Sequence, residues 1–421
     1  MTIEQANRYF STLPDGFAPA EGLAAVLSPA ARQVSYVGVA GTAGKTTAAS
    51  LLAAMLRAAG FAVGRYSAGT TPLSERIFVN GEPVDEASFC AAADTLATRE
   101  ALPAEAAQLA AAALCFGAAG CKLAVVELPD AGLAAALPEM PVCGVTAIGP
   151  DGVSRSVERS AALAAGVMRR GCICVTAPEQ PKAALSELIV AAGKADCELV
   201  VPDAENITFL EAERFTSRVD YGGYTAPLAF LGRHAAGNAA VAIEMALALW
   251  RKGIDVPDEA ILAGLAEVEN RSSIRVLSQK PLVILDACRT PQQAAALLRV
   301  LNMAKIRHMS AVVGLAEEEG AEAFFSALES GLTPDEQKKD KKTMAGMGEN
   351  PFDKLYLVAP AGVDAALTDR LAEKARFHFD VVRSKTLAEA LDAAKANSRR
   401  GLLVCGSELI AREAEALLKN L

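Results

Sequence analysis

The chain has 421 residues, 52% of them hydrophobic, one tryptophan (Trp250) and a formal net charge of −9. That length suggests two or three domains. The acidic balance excludes a general nucleic-acid binder, which needs basic surface to neutralise phosphates, but it is compatible with a local basic cleft. The opening Met1-Thr2-Ile3-Glu4-Gln5 lacks the basic start and apolar run of a signal peptide. The longest apolar stretch, 106–120, is too short to span a bilayer and reads as a buried helix. The nine cysteines follow no metal or redox spacing; Cys172 and Cys174 are separated by one residue, not two. They read as reduced, mostly buried thiols of a cytoplasmic protein with no membrane anchor.

In chain order, short β-branched runs at 35–40, 62–66, 123–127, 142–147, 172–177 and 199–202 predict strands. Alanine- and leucine-rich periodic segments at 45–59, 85–117, 157–170 and 182–192 predict helices between them. This alternation predicts a mostly parallel sheet covered by helices. It restarts near Arg275, with strands expected at 282–286, 309–313, 354–358, 378–382 and 401–405 and helices after most of them. The expected organisation is α/β, with a first domain over 1–274 and a smaller Rossmann-like domain over 275–421. Between them in character stands 333–351, which is charged, carries four lysines at 338, 339, 341 and 342, and lacks an apolar period. It reads as a solvated loop rather than a basic recognition patch.

The sharpest motif lies between the first strand and the first long helix, Gly41-Thr42-Ala43-Gly44-Lys45-Thr46-Thr47. Small residues let the backbone wrap closely, so that successive N–H groups can point at phosphates. The helix N-terminus adds partial positive charge, and Lys45 adds a full one. A hydroxyl at the helix start, Thr46 or Thr47, can hold Mg²⁺. The loop is thus expected to bind ATP. Its glycines fall at Gly38, Gly41 and Gly44, so the first is not five residues before the glycine of the Gly-Lys pair. The alternative is a glycine-rich turn with no ligand.

From this loop outward the sequence resembles the folylpolyglutamate synthases of the Mur ligase superfamily. The loop has that superfamily's spacing. Ser74-Glu75-Arg76-Ile77-Phe78-Val79-Asn80-Gly81-Glu82-Pro83 resembles a family segment that follows a substrate loop. Leu231-Gly232-Arg233-His234 with Asn238 resembles an element whose asparagine contacts adenine. Leu282–Leu285 followed by Asp286 resembles the strand before a histidine-bearing motif, and 402–407 resembles the closing segment. The resemblance implies a P-loop ATPase domain, a Rossmann-like ligase domain, ATP and Mg²⁺, and a monomer. It implies that ATP phosphorylates a folate carboxylate and that glutamate's amine then displaces the phosphate. On this reading Gly41 to Thr47, His234 and Asn238 hold nucleotide; Thr46, Thr47 and Glu127 hold metal; Asp286 and Arg289 serve catalysis.

The chain departs from the family pattern in places. The family's carbamylated lysine falls on Ala164, and its metal-binding histidine on Gly152, after Asp151. The stretch after Glu127 keeps the carboxylate but not the downstream polar residues. The histidine-bearing motif reads Asp286-Ala287-Cys288-Arg289-Thr290-Pro291, and the substrate loop over 67–72 is altered. Two further readings follow, an impaired ATP-binding paralogue with a regulatory or partner role, and a ligase of this fold for a different carboxylate. Alternatives also stand for single residues. Asn238 can be a helix cap, His234 structural, Asp286 a turn former, and Arg289 surface-facing. Cys288 has no histidine beside it in sequence and is not expected to be a nucleophile.

Overall fold

The computed structural model describes residues 1–16, 20–69, 71–99, 101–149, 156–211, 215, 217–268, 274–333, 336–337, 350–398 and 400–418. Asp151, Gly152 and most of the 333–351 loop, all its lysines included, lie outside the described residues. The chain forms two compact units. One comprises Met1–Leu210, Arg218–Ala229 and Ala235–Glu269; the other comprises Glu211–Ser217, Phe230–His234 and Asn270–Leu421. The chain passes between them more than once, where the sequence suggested a single crossing near 274.

In the first unit the strands are β1 (Ser35–Ala40), β2 (Val63–Tyr66), β3 (Ile77–Val79), β4 (Glu82–Pro83), β5 (Leu123–Glu127), β6 (Glu139–Val145), β7 (Ile173–Thr176) and β8 (Glu198–Val200). They form one sheet in the order β4-β3-β2-β5-β1-β6-β7-β8. Only β3 and β4 run antiparallel to their neighbours. β1 lies between β5 and β6, parallel to both, and β1 and β5 are buried along their whole length. Burial on both faces explains why these strands read as near-continuous apolar runs. A smaller sheet, in the order β11-β10-β9, consists of β9 (Thr208–Glu211), β10 (Ser217–Tyr221) and β11 (Tyr224–Leu228). The sequence reading missed it, although β10 alternates buried and outward residues and Gly222-Gly223, both at positive φ, turn the hairpin.

The helices of this part are α1 (Ile3–Ser11), α2 (Ala20–Val26), α3 (Lys45–Ala58), α4 (Glu86–Ala97), α5 (Ala104–Ala118), α6 (Val157–Ala164), α7 (Lys182–Ala195), α8 (Arg233–Arg251) and α9 (Asp258–Glu267). Two expectations are corrected. The single helix expected over 85–117 is two, because Pro103 has no N–H to continue a helix and instead precedes the first turn of α5. The helix expected to reach 170 ends at Ala164 and tightens into a 3₁₀ turn through Val167.

The second unit holds β12 (Arg275–Gln279), β13 (Leu282–Leu285), β14 (Met309–Val313), β15 (Phe352–Leu357), β16 (Val381–Arg383) and β17 (Gly401–Cys405). Their order is β12-β13-β17-β14-β15-β16, with β12 antiparallel to β13 and the others parallel. Its helices are α10 (Pro291–Met303), α11 (Ala321–Ser330), α12 (Ala366–Ala375), α13 (Leu387–Asn397) and α14 (Glu408–Leu418). Alternate residues of each central strand enter opposite apolar layers. Ile284, Val313 and Leu403 join one, and Val283, Val312 and Val404 the other. That is the period of two a strand imposes when helices cover both faces. No described helix is long and apolar enough to cross a membrane.

Two buried tyrosines separate packing from hydrogen bonding. The Tyr36 hydroxyl donates to the Ala31 carbonyl at 3.0 Å, whereas the Tyr356 hydroxyl is buried with no partner among the described residues. Tyr36→Phe is expected to lower stability by about 1 kcal/mol, and Tyr356→Phe to leave it unchanged or raise it, since an unpaired buried hydroxyl is itself a cost. Denaturant midpoints of the two variants check this; equal losses would contradict it.

Candidate functional site

The glycine-rich loop leaves the C-terminal end of β1 and is held by the segment that follows β6. The backbone N–H groups of Thr42 and Ala43 donate to the Ala147 carbonyl at 3.1 and 3.2 Å. The Thr42 hydroxyl donates to the same oxygen at 2.9 Å and accepts from the Gly149 N–H at 2.8 Å. Thr146 is tied back to the Ala40 carbonyl through both its N–H and its hydroxyl. Gln180 secures the far side of this segment. Its oxygen accepts from Ile148 N–H at 3.0 Å, and its nitrogen donates to the Thr146 carbonyl and the Thr176 hydroxyl.

Glycine is required at two points of this loop. Gly41 has φ +126°, and a Cβ there would run into the Thr146 hydroxyl and backbone. Gly44 has φ +91°, and a Cβ there would collide with the Asn238 amide, which α8 brings against it. Both φ values lie where L side chains are strained. Gly44 is also the N-cap of α3 and supplies no side-chain cap, and a helix N-terminus of this kind favours an anion through its N–H groups and partial positive charge. The Lys45 ammonium donates to the Gly41 carbonyl at 2.8 Å, keeping its charge over the loop.

Glu127, the last residue of β5, lies next to this helix start. The Thr46 hydroxyl donates to Glu127 Oε2 at 3.1 Å. The carboxylate is 1% exposed. Burial pushes its pKa up, against the pull of Lys45, Arg65 and the hydroxyls of Ser67 and Thr46. Its other oxygen, Oε1, is buried with no hydrogen-bond partner among the described residues. No group of three or more His, Cys, Asp or Glu among those residues could hold a metal by itself. An unpaired buried carboxylate oxygen beside a threonine hydroxyl does fit Mg²⁺, which takes few protein oxygens and completes its shell with phosphates and water. Thr46 is the hydroxyl that meets Glu127; Thr47, expected to share that role, is buried in the first turn of α3.

The sequence reading missed several neighbours. Arg65 on β2 packs its guanidinium 4.0 Å over the Phe78 ring and donates to the Ser67 hydroxyl at 2.6 Å. Arg76 is buried; it donates to the Thr71 and Ser67 carbonyls and, through two nitrogens, to Gln108 Oε1 at 3.1 Å. Asn7 exchanges hydrogen bonds with Ser74. These contacts tie Ser67, Thr71, Ser74 and Arg76 together, around and just after the stretch 67–72 that was unrecognisable as a substrate loop from its residue types. Ala164, where the resemblance calls for a lysine, is buried in the apolar core of the first unit.

His234, Asp286 and Arg289 belong to the second unit. Asp286 follows β13 and uses both carboxylate oxygens on backbone amides. One accepts from Ile274 at 2.6 Å and the other from Cys288 at 2.7 Å. Burial raises its pKa against those bonds. Cys288 is buried, and burial first, then the neighbouring Cys405, raises its thiol. Arg289 is exposed at the start of α10, where Thr290 and Gln293 form a capping box. The His234 side chain is exposed, yet crowding about the ring pushes its pKa down to about 4, with repulsion from Arg299 second. A pKa of about 4 leaves the ring neutral at pH 7.

No family model and no curated protein matches the sequence. Solved structures match its shape along the whole length. Mycobacterium tuberculosis folylpolyglutamate synthase complexed with ADP and AMPPCP superposes with a TM-score of 0.82 at 22% identity, covering 99% of this chain and 98% of that one. Escherichia coli FolC in complex with DHPP and ADP gives 0.80 at 21% identity, covering 100% and 98%. A bifunctional folylpolyglutamate synthase/dihydrofolate synthase with Mn, AMPPNP and L-glutamate bound gives 0.78 at 21% identity, covering 99% and 98%. The chain therefore has the two-part α/β fold of the folylpolyglutamate synthases.

Two outcomes follow from this geometry. Gly44→Ala is expected to cost about 1–3 kcal/mol, from the positive φ and the Asn238 collision together; a denaturant midpoint equal to that of the parent would refute the collision. Glu127→Gln removes a charge from a buried site, so it should raise the melting temperature of the ligand-free protein at pH 7 by roughly a few degrees.

Proposed function

We propose that the chain is an ATP-dependent ligase that joins glutamate to a folate through an amide bond, by way of an acyl phosphate. The observation that carries the reading is the hydrogen bond from half-buried Thr46 to buried Glu127 at the start of α3, beside a phosphate loop with Lys45 over it. Its support is a fold shared with folylpolyglutamate synthases over 99–100% of this chain.

The loop N–H groups and Lys45 hold the ATP phosphates, and the α3 N-terminus adds its partial charge. Thr46 and Glu127 would hold Mg²⁺, which would supply positive charge at the phosphates. The substrate carboxylate takes the terminal phosphoryl group. Glutamate's amine then attacks the activated carbonyl carbon; the C–N bond forms, the C–O bond to phosphate breaks, and the amine gives up a proton. Neither step needs a covalent enzyme intermediate, so the protein contributes positioning and electrostatic stabilisation. Arg76 and Asn7 hold Ser67, Thr71 and Ser74 in place beside the acceptor. Asn238, against Gly44, fixes the helix start and is the residue assigned to the nucleotide base. Asp286 braces its turn, and the exposed guanidinium of Arg289 is available to anionic groups.

One observation favours a second reading, an ATP-binding protein without ligase turnover. Position 164, a lysine in the resembled family, is an alanine buried in the apolar core. Purified protein with Mg-ATP, glutamate and a panel of folates separates the two. Glutamate-dependent ADP release with a product heavier by one glutamate is expected; ATP binding without turnover would favour the second reading. In either case Lys45→Ala should weaken ATP binding by about tenfold or more. Glu127→Gln should weaken it in Mg²⁺ but not in chelator, as titration calorimetry would read.

A further inference from the structure

Four buried cysteines lie together in the first unit, away from the phosphate loop. Cys143 is on β6, Cys174 on β7, Cys172 just before β7 and Cys197 just before β8, and all four join one apolar layer. The register pairs Ile173 with Glu198 and Cys174 with Leu199 in parallel. One step earlier, Cys172 and Cys197 stand side by side, and the Glu198 N–H donates to the Cys172 carbonyl at 3.2 Å. Their sulfurs are 3.2 Å apart, and Cys143 lies 3.7 Å from Cys172. Neighbouring strands run about 4.8 Å apart, within the backbone separation a disulfide spans. The sulfurs are not a metal site, since no group of three or more ligating residues among those described could hold an ion.

The two thiols differ in character. Cys172 Sγ receives the Arg169 N–H at 3.2 Å and lies beside two other thiols. Lys252, whose ammonium donates to the Gly171 carbonyl at 2.7 Å, stands nearby. The adjoining Cys143 and Cys197 thiols first, then the Arg169 N–H and Lys252, hold the Cys172 thiol well below its usual range against the cost of burial, while Cys197, against the pull of Cys143, is pushed up to about 12 by Cys172 and by burial. A thiolate next to a neutral thiol is a nucleophile with a resolving partner. β8 is an edge strand, and Cys197 retains a small solvent contact.

We propose that Cys172 and Cys197 are an oxidation site, in which a peroxide converts the two thiols to a cross-strand disulfide between β7 and β8. The Cys172 thiolate attacks a peroxide oxygen; the O–O bond breaks, the sulfur becomes a sulfenic acid, and the released oxygen leaves as water after protonation. The Cys197 sulfur then attacks the sulfenic sulfur. The S–S bond forms, the S–O bond breaks, and a second water leaves with the Cys197 proton. Two thiols lose two electrons and one peroxide gains them. The pair lies at the N-terminal ends of its strands, whereas the phosphate loop is held at the C-terminal ends, so nucleotide binding should not change.

The full chain is treated with graded hydrogen peroxide, quenched, alkylated under denaturing conditions and digested. The expected product is a peptide pair linked through Cys172 and Cys197, reversed by dithiothreitol, formed roughly tenfold faster than any oxidation of Cys174. In Cys197→Ser the link disappears and a 1,3-dicarbonyl probe labels Cys172; in Cys172→Ser, Cys197 stays reduced at the same dose. Thermal melting of both variants confirms that they are folded. The proposal is overturned if Cys172 and Cys197 remain alkylatable while other cysteines oxidise, or if Cys172 links to Cys143 instead. Because the readout is peptide mass, the result is independent of whether the chain is a ligase.

Discussion

A single backbone oxygen, the carbonyl of Ala147, organises the phosphate loop. It receives two main-chain N–H groups and one hydroxyl from Thr42 and Ala43, three donors sharing its two lone pairs. That arrangement exists because β1 and β6 run parallel in a register that sets Ala40 beside Val145. The same strand, on its other side, pairs Val39 with Glu127. Sheet order thus delivers the loop and the buried carboxylate to one place, and α3 has only to start there for Thr46 to meet Glu127. Gln180 extends the brace outward from Ala147 through Ile148 and Thr146, so a residue far from any ligand chemistry still sets the loop's shape.

The electrostatics of this corner are unbalanced by design of the fold rather than by neglect. A carboxylate at the end of a fully buried strand loses its hydration, and neighbouring cations recover only part of that loss. Sites where a group is held against its preferred state in this way are characteristic of function rather than packing. The turn of Asp286 is the contrast. Its carboxylate is also buried and its pKa also raised by burial, but two backbone amides occupy both oxygens, and the result is a braced corner before α10.

Much of this was legible in the residues. The β1–loop–α3 unit could be read because its chemistry is local, with small residues, a lysine and a threonine in one uninterrupted run. β5 ended where expected, at Glu127. The limits of legibility were also physical. Pro103 divides what hydrophobic period alone joins, since α4 and α5 are apolar on both sides of it. The small sheet of β9 to β11 was hidden by short strands with polar faces. Arg65, Ser67 and Gln180 carry no motif, because what matters about them is proximity across strands. For Asp286 the residue type suggested either catalysis or a turn, and only the positions of the Ile274 and Cys288 amides show that its oxygens brace the turn.

Gly44 and Asn238 lie almost two hundred residues apart, on different helices, yet the amide of one fills the space a side chain of the other would need. Sequence drift at 44 is therefore limited twice. The backbone at φ +91° disfavours any side chain there whatever stands at 238, and the Asn238 amide would also have to shift to admit one. Related chains compared side by side should keep glycine at 44 more strictly than asparagine at 238, independent of whether each of them still turns over a substrate.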